Sequence, residues 1–331
     1  MGVPIKKLAL EEAVSAGIRK VLLEMPSPYE RFEEAIVAAY RALAGLPASL
    51  EQEIAEFARS PDTPGALLVD GLPLDPELPA TPEGRVVGGR SSFVGEGCLL
   101  GLSRILGEPI GFLSEKSGDL IHNVTPVAAG AYTQSNQGSK VFLSYHNDSV
   151  YDPDGHYHRY NPDFLILLCM RADHDGRALT YYVDARDVSR VLAPQDRELL
   201  RRPLYRMAAP STFTREQAGG QRVWSRPYPV LSGPEDTPEI SVAANGITAI
   251  GPEAQAALER LLAAFNDPRV HGVAALRPGS ALLINNRKGL HARSVFEPMF
   301  DGRDRWLLRT YIRRNLWDMR HRTTDRSRVF A

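Results

Sequence analysis

His146-Asn147-Asp148 sets an imidazole and a carboxylate two positions apart, and a second isolated imidazole, His291, lies far along the chain. In an extended segment residues i and i+2 point the same way, so His146 and Asp148 can face one side together. Two imidazoles and one carboxylate, with no thiolate, suit a divalent cation that prefers nitrogen and oxygen ligands. Held on one face, such a cation keeps positions open for other molecules. Alone the His-x-Asp step is a weak signal, because a polar turn after a strand can carry the same residues. A rival pair, His156 and His158, sits between Asp154-Gly155 and Tyr160-Asn161-Pro162, which read as loop. The whole segment 149–161 is rich in aromatic, acidic and histidine residues and reads as a lid, with Asp152 and His156 as candidate substrate contacts. His122, His174, His271 and His321 have no partner pattern.

These residues need strands to position them. Val141 to Tyr145 is a strand-like run just before His146. Ala281 to Ile284, followed by the polar turn Asn285 to Gly289, precedes His291. Phe164 to Met170 is a continuous apolar run, as expected for a strand buried on both faces. Ala178 to Val183, Ile240 to Val242 and Trp306 to Ile312 are further strands. Helices are expected over Leu8 to Met25, Tyr29 to Leu43 and Leu50 to Ala58, the last capped by Ser49. A strand at Ala66 to Pro73 and helices at Ser92 to Leu106, Asp184 to Arg202 and Pro252 to Phe265 complete the pattern. The expected fold is mainly β with α: a sandwich or barrel core over 125–315 and a helical region over 1–60, in one unit of 331 residues.

Composition narrows the function. Lys and Arg total 39 against 40 Asp and Glu, a net charge of -1, which gives no support for a nucleic-acid or membrane-surface partner. The two cysteines, Cys98 and Cys169, are too few for a disulfide framework or a cysteine-based zinc site. No apolar stretch approaches the roughly 20 residues that span a bilayer. The N-terminus lacks the apolar region of a secretory signal. The expectation is a soluble cytoplasmic protein that meets a small molecule, with oligomeric state open.

The stretch Asn285 to Arg309 closely resembles the C-terminal motif of the clavaminate synthase-like Fe(II)/2-oxoglutarate-dependent oxygenases, nearest to the branch that hydroxylates free amino acids in antibiotic pathways. Upstream, Gln137-Gly138-Ser139, the run Asn161 to Arg171 and Ala178-Leu179-Thr180 are similar to the family's pattern as well. The resemblance implies a double-stranded β-helix (jelly-roll) core with N-terminal and inserted helices. It implies His146, Asp148 and His291 as ligands of Fe(II), with 2-oxoglutarate and O2 as cosubstrates. Arg305, fourteen residues after His291, then binds the far carboxylate of 2-oxoglutarate, with Thr180 as a hydroxyl donor. Arg309 receives a substrate carboxylate, and Asn136 falls at a substrate-contacting position. A bidentate guanidinium suits such a carboxylate better than a lysine. The amino-acid hydroxylases of this branch usually carry His-x-Glu, whereas this chain has Asp148.

The implied reaction is hydroxylation of an aliphatic C–H bond in a free amino acid or a small molecule derived from one. The same chemistry on a small peptide, a cyclic dipeptide or a carrier-bound residue is an alternative, as are desaturation and epoxidation. A jelly-roll metal enzyme that is not an oxygenase, or a non-catalytic 2-oxoglutarate-binding module, would share the fold without the turnover.

Overall fold

The computed structural model describes residues 5–83, 90–133, 138–149, 160–210 and 221–331. It is a mixed, sheet-rich fold with several helices. The larger sheet begins with β1 (Lys6–Ala9), β2 (Ala66–Asp70), β3 (Glu108–Phe112) and β4 (His122–Val124). The smaller one takes β5 (Leu143–His146). The chain then returns to the larger sheet with β6 (Phe164–Arg171) and to the smaller with β7 (Leu179–Asp184). Short pairs follow, β8 (Tyr205–Met207) with β11 (Ile247–Ala249) and β9 (Leu231–Ser232) with β10 (Glu239–Ile240). Last come β12 (His271–Ala275), β13 (Ala281–Asn285), β14 (Gly289–Arg293), β15 (Trp306–Arg313) and β16 (Val329–Phe330). The larger sheet runs β1-β2-β13-β6-β15-β3-β16, with β4 also on β15, and the smaller runs β12-β7-β14-β5.

Alternation along β6 explains its unbroken apolar sequence. Phe164, Ile166, Leu168 and Met170 pack into a core beneath the N-terminal helices, while Leu165, Leu167 and Cys169 point into a second core between the sheets. The first core is closed by α1 (Glu12–Leu22), α2 (Phe32–Leu43), α3 (Ala48–Arg59) and α4 (Val94–Leu106). Gly101 lets α4 approach α2 closely: a Cβ there would sit 2.8 Å from the Ala39 carbonyl oxygen. A third core lies between the smaller sheet and α5 (Ala185–Val191), α6 (Pro194–Leu200) and α7 (Pro252–Ala264). Both cysteines are buried and unpaired. Among the described residues no helix is long and apolar enough to cross a membrane.

Several boundaries differ from the sequence pattern for physical reasons. Leu8 and Ala9 do not begin a helix. Their backbones add β1 to β2 in parallel, and α1 starts only at Glu12. Ser49 lies inside α3, with Pro47 at the N-cap position. The span 184–202 forms two helices, because Leu192 and Ala193 adopt extended backbone ahead of Pro194. His291 follows the polar turn on its own short strand, β14.

A candidate metal centre between the two sheets

β5 and β14 are neighbours in the smaller sheet, and their register sets His146 directly opposite His291. The imidazole centroids are 4.2 Å apart. Asp148 lies just past the end of β5, its carboxylate oxygens 3.9 Å from His146 Nε2 and 4.0 Å from His291 Nε2. The three ligand atoms thus converge on one point, and all three residues are buried. His146 Nδ1 donates to the Ser144 carbonyl at 2.7 Å, which fixes the tautomer and leaves Nε2 bare for a metal. Burial pushes the imidazolium form of both histidines down, His291 to about 3 with His146 adding to the effect. Burial works against the Asp148 carboxylate, but Arg309 beside it prevails and holds it below the usual range. Two neutral imidazoles and one carboxylate are the state that accepts a divalent cation without first losing a proton.

Two carboxamides unassigned in the sequence lock this arrangement. The Asp148 amide donates to Asn286 Oδ1 at 2.9 Å, and Asn286 Nδ2 donates back to the Asp148 carbonyl at 2.8 Å and to the Pro162 carbonyl at 3.0 Å. Asn147 Nδ2 donates to the carbonyls of Asn286 and Gly289, while its Oδ1 accepts from the Val242 amide. The Asn-Asn pair of the 285–289 turn was visible as a polar cluster, but its partners lie more than a hundred residues away in sequence.

The centre opens into a cleft between the two sheets. Arg305, just before β15, and Leu307, Arg309 and Tyr311 on it all line the cleft, so the two arginines face the same space as expected. Arg305 is 6% exposed and makes no side-chain hydrogen bond or ion pair with any described residue. Its guanidinium rests 5.6 Å from the Phe296 ring, and Arg293 rests 5.4 Å from the same ring. Burial lowers the pKa of Arg305 below the usual arginine value, and burial together with Arg305 brings Arg293 to about 10. A buried cation without a counter-ion is costly unless an anion joins it. Thr180, buried on β7 and opposite Arg293, lines the same cleft.

Arg309 is the opposite case. Its NH1 donates to both Asp148 oxygens at 3.1 Å, and NH2 donates to Glu115 Oε1 at 3.1 Å and to His122 Nδ1 at 2.9 Å. Its Nε is buried without a hydrogen-bond partner among the described residues. Glu115 and His122 were not selected from sequence, because short strands and turns bring them to Arg309 across almost 200 residues. Asn136, Asp152, His156 and the rest of the lid-like segment up to residue 159 lie outside the described residues.

The family model described as taurine catabolism dioxygenase TauD, TfdA family matches residues 43–311. L-asparagine oxygenase of Streptomyces coelicolor is 36% identical over 84% of this chain and 80% of its own length. Clavaminate synthase 2 of Streptomyces clavuligerus is 32% identical over 85% of this chain and 82% of its own. Among solved structures, asparagine oxygenase in complex with Fe(II), 2S,3S-3-hydroxyasparagine and succinate superposes with a TM-score of 0.85 at 31% identity, covering 98% of both chains. This chain belongs to the TauD/TfdA dioxygenase family, among its clavaminate synthase-like members.

Proposed function

We propose that this chain hydroxylates an aliphatic C–H bond of a free amino acid, using Fe(II) with 2-oxoglutarate and O2 as cosubstrates. The observation that carries the reading is the pairing, in one cleft, of a converged His-Asp-His donor set with the buried cation Arg305, which has no ion-pair partner among the described residues. His146, Asp148 and His291 would hold the iron. Arg305 would receive the distal carboxylate of 2-oxoglutarate, with Thr180 beside it. Iron and 2-oxoglutarate, when bound, supply oxidative decarboxylation to succinate and CO2 and the oxidising power that replaces a C–H hydrogen with hydroxyl.

The chain's own residues bind and orient. Asn147 and Asn286 hold the carboxylate ligand in place. Val124, Leu143, Leu167 and Leu307 give the cleft an apolar wall that would keep water from an anion bound on Arg305. Arg309 and Glu115 put opposite charges at the cleft, and the buried Nε of Arg309 offers an unused donor. That combination fits the carboxylate and ammonium of a free amino acid. The asparagine oxygenase relative, and the solved asparagine oxygenase complex that contains 3-hydroxyasparagine, support the same substrate class. We read the two sheets as a double-stranded β-helix and residues 1–331 as a single oxygenase domain.

A panel of L-amino acids that includes asparagine, lysine and arginine tests the reading. The purified protein with Fe(II), 2-oxoglutarate and O2 is expected to release succinate faster with one of them, and to yield that amino acid with one added oxygen atom. Succinate release that no amino acid raises above the background rate would contradict a free amino-acid substrate.

A further inference from the structure

His122 lies on β4 directly opposite Arg309 in the register of β4 with β15. It is 2% exposed. Its Nε2 is 2.9 Å from the Asp119 carbonyl oxygen, and its Nδ1 is 2.9 Å from Arg309 NH2. A carbonyl oxygen can only accept, so Nε2 must carry the proton. A guanidinium can only donate, so Nδ1 must be bare. Both contacts thus select the same neutral tautomer. The Tyr311 ring meets the imidazole edge-on, with centroids 5.1 Å apart at 84°. Tyr311 also lies beneath the Arg309 guanidinium at 4.5 Å. The imidazole is therefore held on two polar sides and one ring face.

We propose that His122 is a positioning residue for the metal centre: as the Nε2–H tautomer it holds Arg309 so that NH1 bridges both oxygens of Asp148. Arg309 has three acceptors, and each does a different job. Asp148 is the group to be oriented, Glu115 balances charge, and His122 is the neutral acceptor that fixes the rotation of the guanidinium without adding another negative charge beside Asp148. A third carboxylate at position 122 would draw Arg309 away from the ligand. A residue with no acceptor would leave a buried NH2 hydrogen unpaired. Partners that orient a ligating carboxylate typically govern metal affinity by about 10- to 100-fold. The inference rests on the reading of Asp148 as a metal ligand but needs no assumption about the substrate.

Two variants separate orientation from packing. His122→Asn places its Oδ1 where Nδ1 was and keeps the acceptor while losing ring volume. His122→Phe keeps the ring against Tyr311 and loses the acceptor. Metal-free protein of each variant is titrated with Co(II), following the visible ligand-field bands and the heat of binding. His122→Asn is expected to bind Co(II) near the wild-type affinity with unchanged bands. His122→Phe is expected to bind about tenfold or more weakly, with altered bands. Wild-type affinity in His122→Phe, or a loss in His122→Asn equal to that in His122→Phe, would overturn the proposal and leave His122 as packing. If either variant fails to fold, nitrogen-15 spectra of the wild-type histidine rings decide: a neutral His122 protonated on Nε2 is expected, and protonation on Nδ1 overturns it. No amino acid is present in these measurements, so a silent substrate panel would not affect their outcome.

Discussion

Asn286 grips Asp148 from both sides of its backbone, accepting from its amide at 2.9 Å and donating to its carbonyl at 2.8 Å. The same side chain reaches Pro162, so one carboxamide joins the candidate metal-binding segment to the chain that returns into β6. Asn286→Ala is therefore expected to weaken Co(II) binding by roughly 10- to 100-fold, measured by calorimetric titration of the metal-free protein. An unchanged affinity in a folded variant would show that Asp148 holds its place without this clamp.

Arg305 has the geometry of an anion receptor and no carboxylate within ion-pair distance among the described residues. Arg305→Met removes the charge and keeps much of the volume. Losing one partner of a buried charge pair costs about 2–5 kcal/mol. The dissociation constant of 2-oxoglutarate on the Fe(II) or Co(II) protein should rise at least about thirtyfold, while the affinity for the metal alone stays close to wild type. A parallel loss of metal and 2-oxoglutarate affinity would mean that Arg305 supports the fold rather than the cosubstrate.

The helical layer has its own buried charges. Arg90 reaches Asp75 at 3.0 Å and Glu96 at 2.9 Å, stands 5.7 Å from the Trp306 ring, and leaves both acids shielded from solvent. Asp75 in turn accepts from the amides of Val94 and Gly95 at the start of α4. Arg90→Met strands two buried carboxylates. It should lower unfolding stability by roughly 3–5 kcal/mol in a urea titration at pH 7. A change within about 0.5 kcal/mol, the ordinary range for surface substitutions, would show that the acids are solvated in solution.

The metal-free protein should also lose stability in mild acid. Burial and the neighbouring His146 push the His291 imidazolium down to about 3 in the folded chain, against about 6.5 for a free imidazole. His146 and His122 shift in the same direction. Between those limits the unfolded chain binds more protons than the folded one, so stability present above about pH 6.5 falls as pH drops towards 3. Each such histidine contributes up to about 1.4 kcal/mol per pH unit. The urea midpoint should decline from pH 7 to pH 5, and His291→Gln should flatten that decline. Equal slopes in the two proteins would contradict the assignment to His291.

The His146-x-Asp148 step together with the resemblance of Asn285 to Arg309 to a known family brought the candidate ligand set into the sequence reading. His146 and Asp148 are two positions apart, and Arg305 and Arg309 are four positions apart and line one cleft. The helix boundaries at Leu43 and Leu106 and the strand from Phe164 followed from periodicity as well. What stayed hidden depends on register between distant strands. Nothing near His122 in sequence announces Arg309, and nothing near Asn286 announces Asp148. β1 was hidden for a related reason, since its four residues read as the start of a helix until β2 supplies an edge to pair with. The exchange of the usual Glu for Asp148 was legible as a letter. Its bidentate pairing with Arg309 was visible only in three dimensions.

The most direct test of the central claim is optical. Fe(II) and 2-oxoglutarate are added to metal-free protein without oxygen, and the weak visible charge-transfer band of the chelate is recorded for wild type, His146→Ala, His291→Ala and Arg305→Ala. A band in wild type that vanishes in both histidine variants and weakens in the arginine variant is the predicted result. Iron binding at His146, Asp148 and His291 with no band on adding 2-oxoglutarate would contradict the account.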